Sequence, residues 1–208
     1  MSKSKITVVD YGMGNLWSVI SALKYLGCDV SVSSHPNEII NADALILPGV
    51  GSFRKAMNAL SETGLDQAII DVVQAKGRKV LGICLGMQLL GLGSTEDGQT
   101  SGLGLIKSMA SKFTEVEVSG KKIPHVGFDS VFSQSNSLLF KGLGPVADFY
   151  FVHSYRMLPV SENGISSVCD YGVEFLAAYE HDNVFATQFH PEKSQTNGLL
   201  LLKNFLDQ

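Results

Sequence analysis

The sequence predicts an α/β fold: an open, mostly parallel twisted sheet with helices on both faces, extended by antiparallel strands in its second half. Three observations carry that expectation. Over the first hundred residues, short apolar runs alternate with helical patterns, the order that builds a parallel sheet. Runs such as Ala44–Leu45–Ile46–Leu47 are apolar without interruption, as strands buried on both faces must be. Glycines then cluster at the carboxyl ends of those runs, where open α/β sheets hold their ligands.

Taken in order, Ile6 to Asp10 is rich in β-branched residues and ends at a Gly12–Met13–Gly14–Asn15 turn. Leu16, Val19, Ile20, Leu23 and Leu26 recur at helical spacing, and Gly27 caps that helix. Val30–Ser33 and Ala44–Leu47 read as strands, the second closed by Pro48–Gly49–Val50–Gly51. Helices are expected over Phe53–Leu60 and Leu65–Ala75, a strand over Val80–Ile83, and a new helix from Leu85 to Leu90. In the second half, Phe113–Val118, Ile123–Val131, Phe149–Tyr155, Phe175–Glu180 and Val184–Phe189 read as strands, before a last helix over Gly198–Leu206. They are expected to extend the sheet edge or to form a small β lobe.

Composition narrows the function classes. With 208 residues and no long linker, one domain over 1–208 is expected. Charged residues are 17% of the chain and the net charge is −4, with no basic stripe of the kind nucleic-acid binding needs. No apolar stretch reaches the ~18 residues of a membrane span. Cys28, Cys84 and Cys169 are odd in number and far apart, which argues against a disulfide framework and against a zinc site. A cytoplasmic protein with reduced thiols, without metal or cofactor, is the expectation.

Three strand ends carry the chemistry. Gly82–Ile83–Cys84–Leu85–Gly86 has the layout of a nucleophile elbow, its glycines permitting a sharp turn that lifts one side chain above the sheet. The following helix aims free N–H groups at the sulfur, and the Leu85 amide is a ready oxyanion donor. Cys28 and Cys169, without such surroundings, read as small buried hydrophobes. In His190–Pro191–Glu192, proline biases His190 away from helix, so the tripeptide is expected to be extended, with His190 and Glu192 on one side. Nucleophile, base and orienting carboxylate complete a triad. Pro48–Gly49–Val50–Gly51 offers backbone amides at the neighbouring strand end. The Gly12–Met13–Gly14 turn lacks the third glycine of a dinucleotide loop and reads as a plain strand-to-helix turn.

With these segments in hand, the chain resembles the triad (class I) glutamine amidotransferases, marked by a glycine-rich oxyanion turn, a G-x-C-x-G-x-Q elbow (Gly82 to Gln88) and an H-P-E motif. The resemblance spans essentially the whole chain and implies their flavodoxin-like fold. It further implies glutamine as substrate: attack by Cys84, an oxyanion hole from Val50, Gly51 and Leu85, and proton transfer by His190 oriented by Glu192. Gly49, Gln88, Glu96, Ser154 and Tyr155 match positions that bind the substrate.

Within the family, Asp10–Leu16, Pro124–Gly127 and Phe151–Tyr155 look like the glutaminase subunits of imidazole glycerol phosphate synthases. That likeness implies a heterodimer with a (β/α)8-barrel cyclase in histidine biosynthesis, with Asn15, Tyr150 and Lys193 at or near the interface. Phe128 and Asp129 stand where many such subunits carry Trp and Asn. Two alternatives stay open: a related amidotransferase feeding the amidination of a bacterial surface sugar, and a stand-alone Cys–His γ-glutamyl hydrolase. A non-catalytic binding module is the third class.

Overall fold

The computed structural model describes residues 5–160 and 164–208. In chain order, strand β1 (Lys5–Val9) leads into helix α1 (Leu16–Tyr25), with Gly27 beyond it in the left-handed region at φ 79°. β2 (Asp29–Ser33), α2 (Pro36–Ile40) and β3 (Ala44–Leu47) follow. Next come α3 (Phe53–Thr63) and α4 (Leu65–Ile70), the latter running into a π-helical turn (Asp71–Ala75). β4 (Lys79–Ile83) and α5 (Leu85–Leu90) complete the first half.

The second half holds β5 (Gly93–Ser94), β6 (Thr100–Ser101), β7 (Met109–Lys112), β8 (His125–Phe132), β9 (Val146–His153) and β10 (Tyr155–Met157). It closes with β11 (Ile165–Asp170), β12 (Glu174–His181), β13 (Val184–Thr187) and α6 (Gln195–Asp207).

Nine strands form one sheet in the order β2-β1-β3-β4-β13-β12-β11-β8-β9. The first five run parallel and the rest antiparallel. A second sheet, β10-β7-β5-β6, forms a small lobe. The sequence left edge extension and separate lobe as alternatives; both are realised. No helix among the described residues is long and apolar enough to cross a membrane.

The uninterrupted apolar strands serve two cores at once. Side chains alternate across a strand, so Leu45 and Leu47 pack under α3 to α5 while Ala44 and Ile46 pack against the side covered by α1 and α6. β13 divides likewise, with Val184 and Ala186 on one face and Phe185 on the other.

Several expectations need correction. Phe113–Val118 is not a strand: β7 ends at Lys112, and the chain turns because Glu117 accepts from both the Thr114 amide (2.8 Å) and the Thr114 hydroxyl (3.0 Å). Phe113 and Val118 are nevertheless buried, which gave that turn its strand-like apolarity. The helix expected over Leu65–Ala75 changes to π-helical winding at Asp71. α2, β5, β6, β7 and β11 were not anticipated, and the expected Phe149–Tyr155 strand breaks at Ser154 between β9 and β10; α2 is one short turn opened by Pro36, and the unanticipated strands are short or polar.

α5 lies so close to β3 that a Cβ on Gly86 would overlap the Leu47 carbonyl oxygen. Gly86→Ala therefore forces backbone apart, and we expect a loss of about 3 kcal/mol, the upper end for overpacking. Urea unfolding of the variant measures it; an unchanged midpoint would contradict the close approach.

Candidate active site

Three carboxyl strand ends converge because their strands are neighbours. β4 pairs with β3 (Leu47 opposite Gly82) and with β13 (Thr187 opposite Ile83). The chain leaving each strand therefore carries Pro48–Gly51, Cys84 and Gln188–His190 into one crevice. A cavity of about 680 Å³ there is lined by Val50, Gly51, Cys84, Leu85, Gln88 and, across the mouth, Glu96 and the segment from Val152 to Tyr155.

Cys84 sits at φ 55°, ψ −108°, a conformation costly for any residue but glycine. The surroundings hold it there: its amide donates to the Thr187 carbonyl at 2.7 Å, extending the β4–β13 ladder by one bond. Gly82 and Gly86 leave no side chain to obstruct the turn. The thiol is buried but lines the cavity, with the Val152 carbonyl at 3.9 Å and the Gln188 amide nitrogen at 3.7 Å. Helix α5 is only six residues long, so its contribution is the local amides of the elbow rather than a long macrodipole.

His190 meets Glu192 as expected, with Nδ1 at 2.7 Å from Oε1, but not in an extended tripeptide. His190 alone is extended (φ −97°, ψ 96°); Pro191–Lys193 winds into a 3-10 turn closed by the Lys193 amide on the His190 carbonyl at 3.0 Å. The fixed φ of proline suits the first position of such a turn. The Ser194 hydroxyl donates to the same carbonyl at 2.7 Å, and the His190 amide donates to Tyr150 O at 2.9 Å. Both side chains of the pair are almost wholly buried.

The far nitrogen of the ring, Nε2, is buried without a hydrogen bond of ordinary geometry, yet the ring interacts directly with the Cys84 thiol. Burial opposes a charge on His190. Hydrogen bonding and negative charge from Cys84 and Glu192 outweigh it and push the imidazole up to about 10. The arrangement can hold an acid beside a nucleophile.

The glycine-rich turn is anchored from below. The Tyr11 hydroxyl donates to the Pro48 carbonyl at 2.8 Å, and a side chain on Gly49 would overlap that hydroxyl. Gly49 thus stands behind the wall that Val50 and Gly51 form. Burial, then the nearness of Cys84, raises the Tyr11 hydroxyl well above the ordinary phenol range. Gln88, one helical turn past Cys84, is buried rather than a surface helix residue; its amide donates to the Tyr155 carbonyl (3.1 Å) and to Gln188 Oε1 (3.0 Å). Glu96 lines the mouth while accepting from the Phe53 amide at 2.7 Å, at the start of α3. Ser154 and Tyr155 form the opposite wall.

Asn15, Tyr150 and Lys193 do not line this cavity. Asn15 and Lys193 are exposed and Tyr150 is half-buried, its ring edge-on to the exposed Phe128 at 5.6 Å. α1 packs beside the 3-10 turn, so the three residues border the site from outside. Sequence reasoning missed the roles of Tyr11, Gln188 and His153. Tyr11 and His153 lay inside quoted motifs, but nothing in their spacing shows which way they face.

The family model for class I glutamine amidotransferases matches residues 7–208. The chain belongs to this family. The imidazole glycerol phosphate synthase subunit HisH of Bacillus subtilis (strain 168) is 48% identical over 203 residues, 96% of this chain and 94% of that one. HisH 1 of Parasynechococcus marenigrum (strain WH8102) is 46% identical over 204 residues, 98% and 97% of the two chains. The chloroplastic synthase hisHF of Arabidopsis thaliana is 42% identical over 207 residues, which are 99% of this chain but 34% of that protein. Among solved structures, PurLQS from Thermotoga maritima superposes with a TM-score of 0.76 at 18% identity, covering 99% of this chain and 98% of that chain. A putative GMP synthase protein from Thermoplasma acidophilum gives 0.75 at 20% identity, with 100% and 94% covered. These structures share the amidotransferase fold.

The buried rings set a pH optimum for stability. Burial holds His125 near 4 and His153 near 3, below the 6.5 of an unfolded histidine. Between pH 6.5 and about 4 the unfolded chain therefore binds more protons, and stability falls as pH falls, by up to about 1.4 kcal/mol per pH unit for each ring. The raised His190 acts oppositely: its contribution is complete below 6.5 and is lost as pH rises toward about 10. Urea midpoints at pH 4.5, 7 and 9.5 should peak at the middle value; a midpoint rising monotonically with pH would refute the His190 assignment.

Proposed function

We propose that this amidotransferase hydrolyses glutamine to glutamate and ammonia through Cys84, His190 and Glu192. The ammonia passes to a (β/α)8-barrel cyclase, which makes imidazole glycerol phosphate and an aminoimidazole carboxamide ribotide in histidine biosynthesis. The observation that carries the reading is the buried His190–Glu192 bond of 2.7 Å beside an elbow cysteine, in a cavity also lined by Gln88. Near-full-length identity to synthase subunits supports the choice of acceptor. The whole of 1–208 acts as one domain, in the cytoplasm.

The steps follow from the residues. The Cys84 sulfur attacks the side-chain amide carbon of glutamine, forming a C–S bond, while amides of Val50, Gly51 and Leu85 receive the developing oxyanion. His190 gives its proton to the amide nitrogen, the C–N bond breaks, ammonia leaves and a γ-glutamyl thioester remains. With the sulfur acylated, the charge that raised His190 is gone, so the ring falls toward neutrality and can take a proton from water. Hydroxide adds to the thioester, the C–S bond breaks and glutamate leaves. Glu192 keeps Nδ1–H engaged throughout, which leaves Nε2 free for both transfers. Gln88, Glu96 and the Ser154–Tyr155 backbone hold the amino-acid end of the substrate, and Gly49 lets the oxyanion turn close.

Ammonia in bulk water at neutral pH would be protonated, so release into a partner serves the chemistry. Asn15, Tyr150 and Lys193, with exposed Phe128 and Trp17 nearby, form the face we assign to that partner.

Glutamate release is measured with and without a histidine-pathway cyclase and its nucleotide ligand. Stimulation by that pair is expected. Stimulation only by a sugar-amidinating ligase would transfer the reading to surface-sugar modification, and full rate alone would make the chain a free-standing hydrolase. In the stimulated complex Cys84→Ala should lose at least about 10⁴-fold in kcat and Glu192→Gln about a hundredfold. A fully active Cys84→Ala would end the proposal.

A further inference from the structure

From His153 in the cavity wall a chain of three side chains that the catalytic steps do not use runs inward. Asp129 Oδ2 lies 3.4 Å from His125 Nε2; His125 Nδ1 lies 3.2 Å from His153 Nε2; His153 Nδ1 lies 2.8 Å from the Tyr155 carbonyl oxygen. The two histidines are opposite each other on β8 and β9. His125 is sandwiched between the rings of Phe151 (4.7 Å) and Tyr171 (3.8 Å), and His153 packs on Phe113 and Phe175. Rings so enclosed cannot turn to find other partners, so only their protons can rearrange.

Counting protons exposes a conflict. Hydrogen bonds across all three contacts would need three hydrogens, and two neutral imidazoles supply two. Both rings are neutral near pH 7: burial, reinforced for His125 by Lys121, outweighs the pull of Asp129. One contact must therefore go without a hydrogen. If both protons sit toward Tyr155, His125 Nε2 turns a lone pair on the Asp129 carboxylate. If both sit toward Asp129, His153 Nδ1 turns a lone pair on the Tyr155 carbonyl. A carboxylate is the stronger acceptor, whereas the graded distances of 2.8, 3.2 and 3.4 Å favour the carbonyl.

We propose that Asp129, His125 and His153 are positioning residues, a relay in which the Asp129 carboxylate and the Tyr155 carbonyl compete for two protons, and the outcome sets how firmly Ser154 and Tyr155 are held at the glutamine pocket. The second half of the proposal rests on the glutaminase reading above. Tyr155 O accepts from Gln88 on one side and His153 on the other, so losing the His153 proton replaces an attraction by lone-pair repulsion at the wall that holds the substrate. The other titratable groups facing the relay are Lys121 and Tyr171 toward His125, His190 toward His153, and Cys169 beside Asp129.

Asp129→Asn tests it, because a neutral amide donates to His125 Nε2 and completes all three contacts with the protons toward Tyr155. Nitrogen-15 spectra of histidine-labelled full-length chain at pH 7 should show His153 Nδ1 as a partly protonated average in the native protein and fully protonated in the variant. Acidification toward pH 4 should add one proton to His125 in the native chain only. In the stimulated complex, KM for L-glutamine should fall about fivefold in the variant, the worth of one neutral hydrogen bond, with kcat within twofold. Identical histidine spectra in the two proteins would overturn the relay. Altered spectra with an unchanged KM would overturn its positioning role. Absence of glutaminase activity in both, with the cyclase and its nucleotide ligand present, would refute the functional reading instead, leaving the spectra to decide the relay.

Discussion

The parallel pairing of β4 with β13 is the constraint on which the site depends. It brings residues a hundred positions apart to adjacent strand ends, and its last bond, from the Cys84 amide to the Thr187 carbonyl, also holds the elbow in its strained conformation. Cys84 leaves β4 upward into the crevice, while the chain beyond β13 passes Gln188 and Phe189 before His190 turns back toward it. Both strands are buried on both faces, so neither can slip in register without exposing an entire apolar row.

Around that pairing the structure keeps a small number of polar atoms short of partners. His190 Nε2 and Glu192 Oε2 are buried without a hydrogen bond of ordinary geometry, a state that costs free energy. In the proposed mechanism Nε2 gives and then takes a proton, so a standing hydrogen bond there would compete with the reaction. The buried His125–His153 pair follows the same logic one layer back, where too few protons serve too many contacts. Arg156 donates to Ser111 and Glu117 and lies over Phe113, fastening the turn after β7 to the small lobe, although its Nε is likewise buried without a partner.

Much of this was legible in the chain. The elbow glycines, the histidine–proline–glutamate run and the uninterrupted strands each depend on local sequence, and β3 and α5 fall where periodicity puts them. Strand-like apolarity failed at Phe113–Val118 because burial there is reached through a turn closed by Thr114 and Glu117, a side-chain device that periodicity does not register. β11 escaped notice because Ser166, Ser167 and Asp170 make it polar. Gln88 could be placed near Cys84 from helical spacing, but not its burial, which depends on Tyr155 and Gln188 arriving from distant strands.

The sequence by itself determined which residues could do chemistry: a thiol on a sharp turn, an imidazole two residues from a carboxylate, and small residues where backbone must approach closely. These are matters of covalent structure and of conformations confined to a few residues. Tertiary structure decided the rest. It bent His190–Glu192 through a 3-10 turn instead of an extended run, set Tyr11 beneath the Pro48–Gly51 turn, and aligned His125, His153 and Asp129 into one line. Such contacts join positions tens of residues apart, and their energies exist only once packing has excluded water and brought the partners within bonding distance.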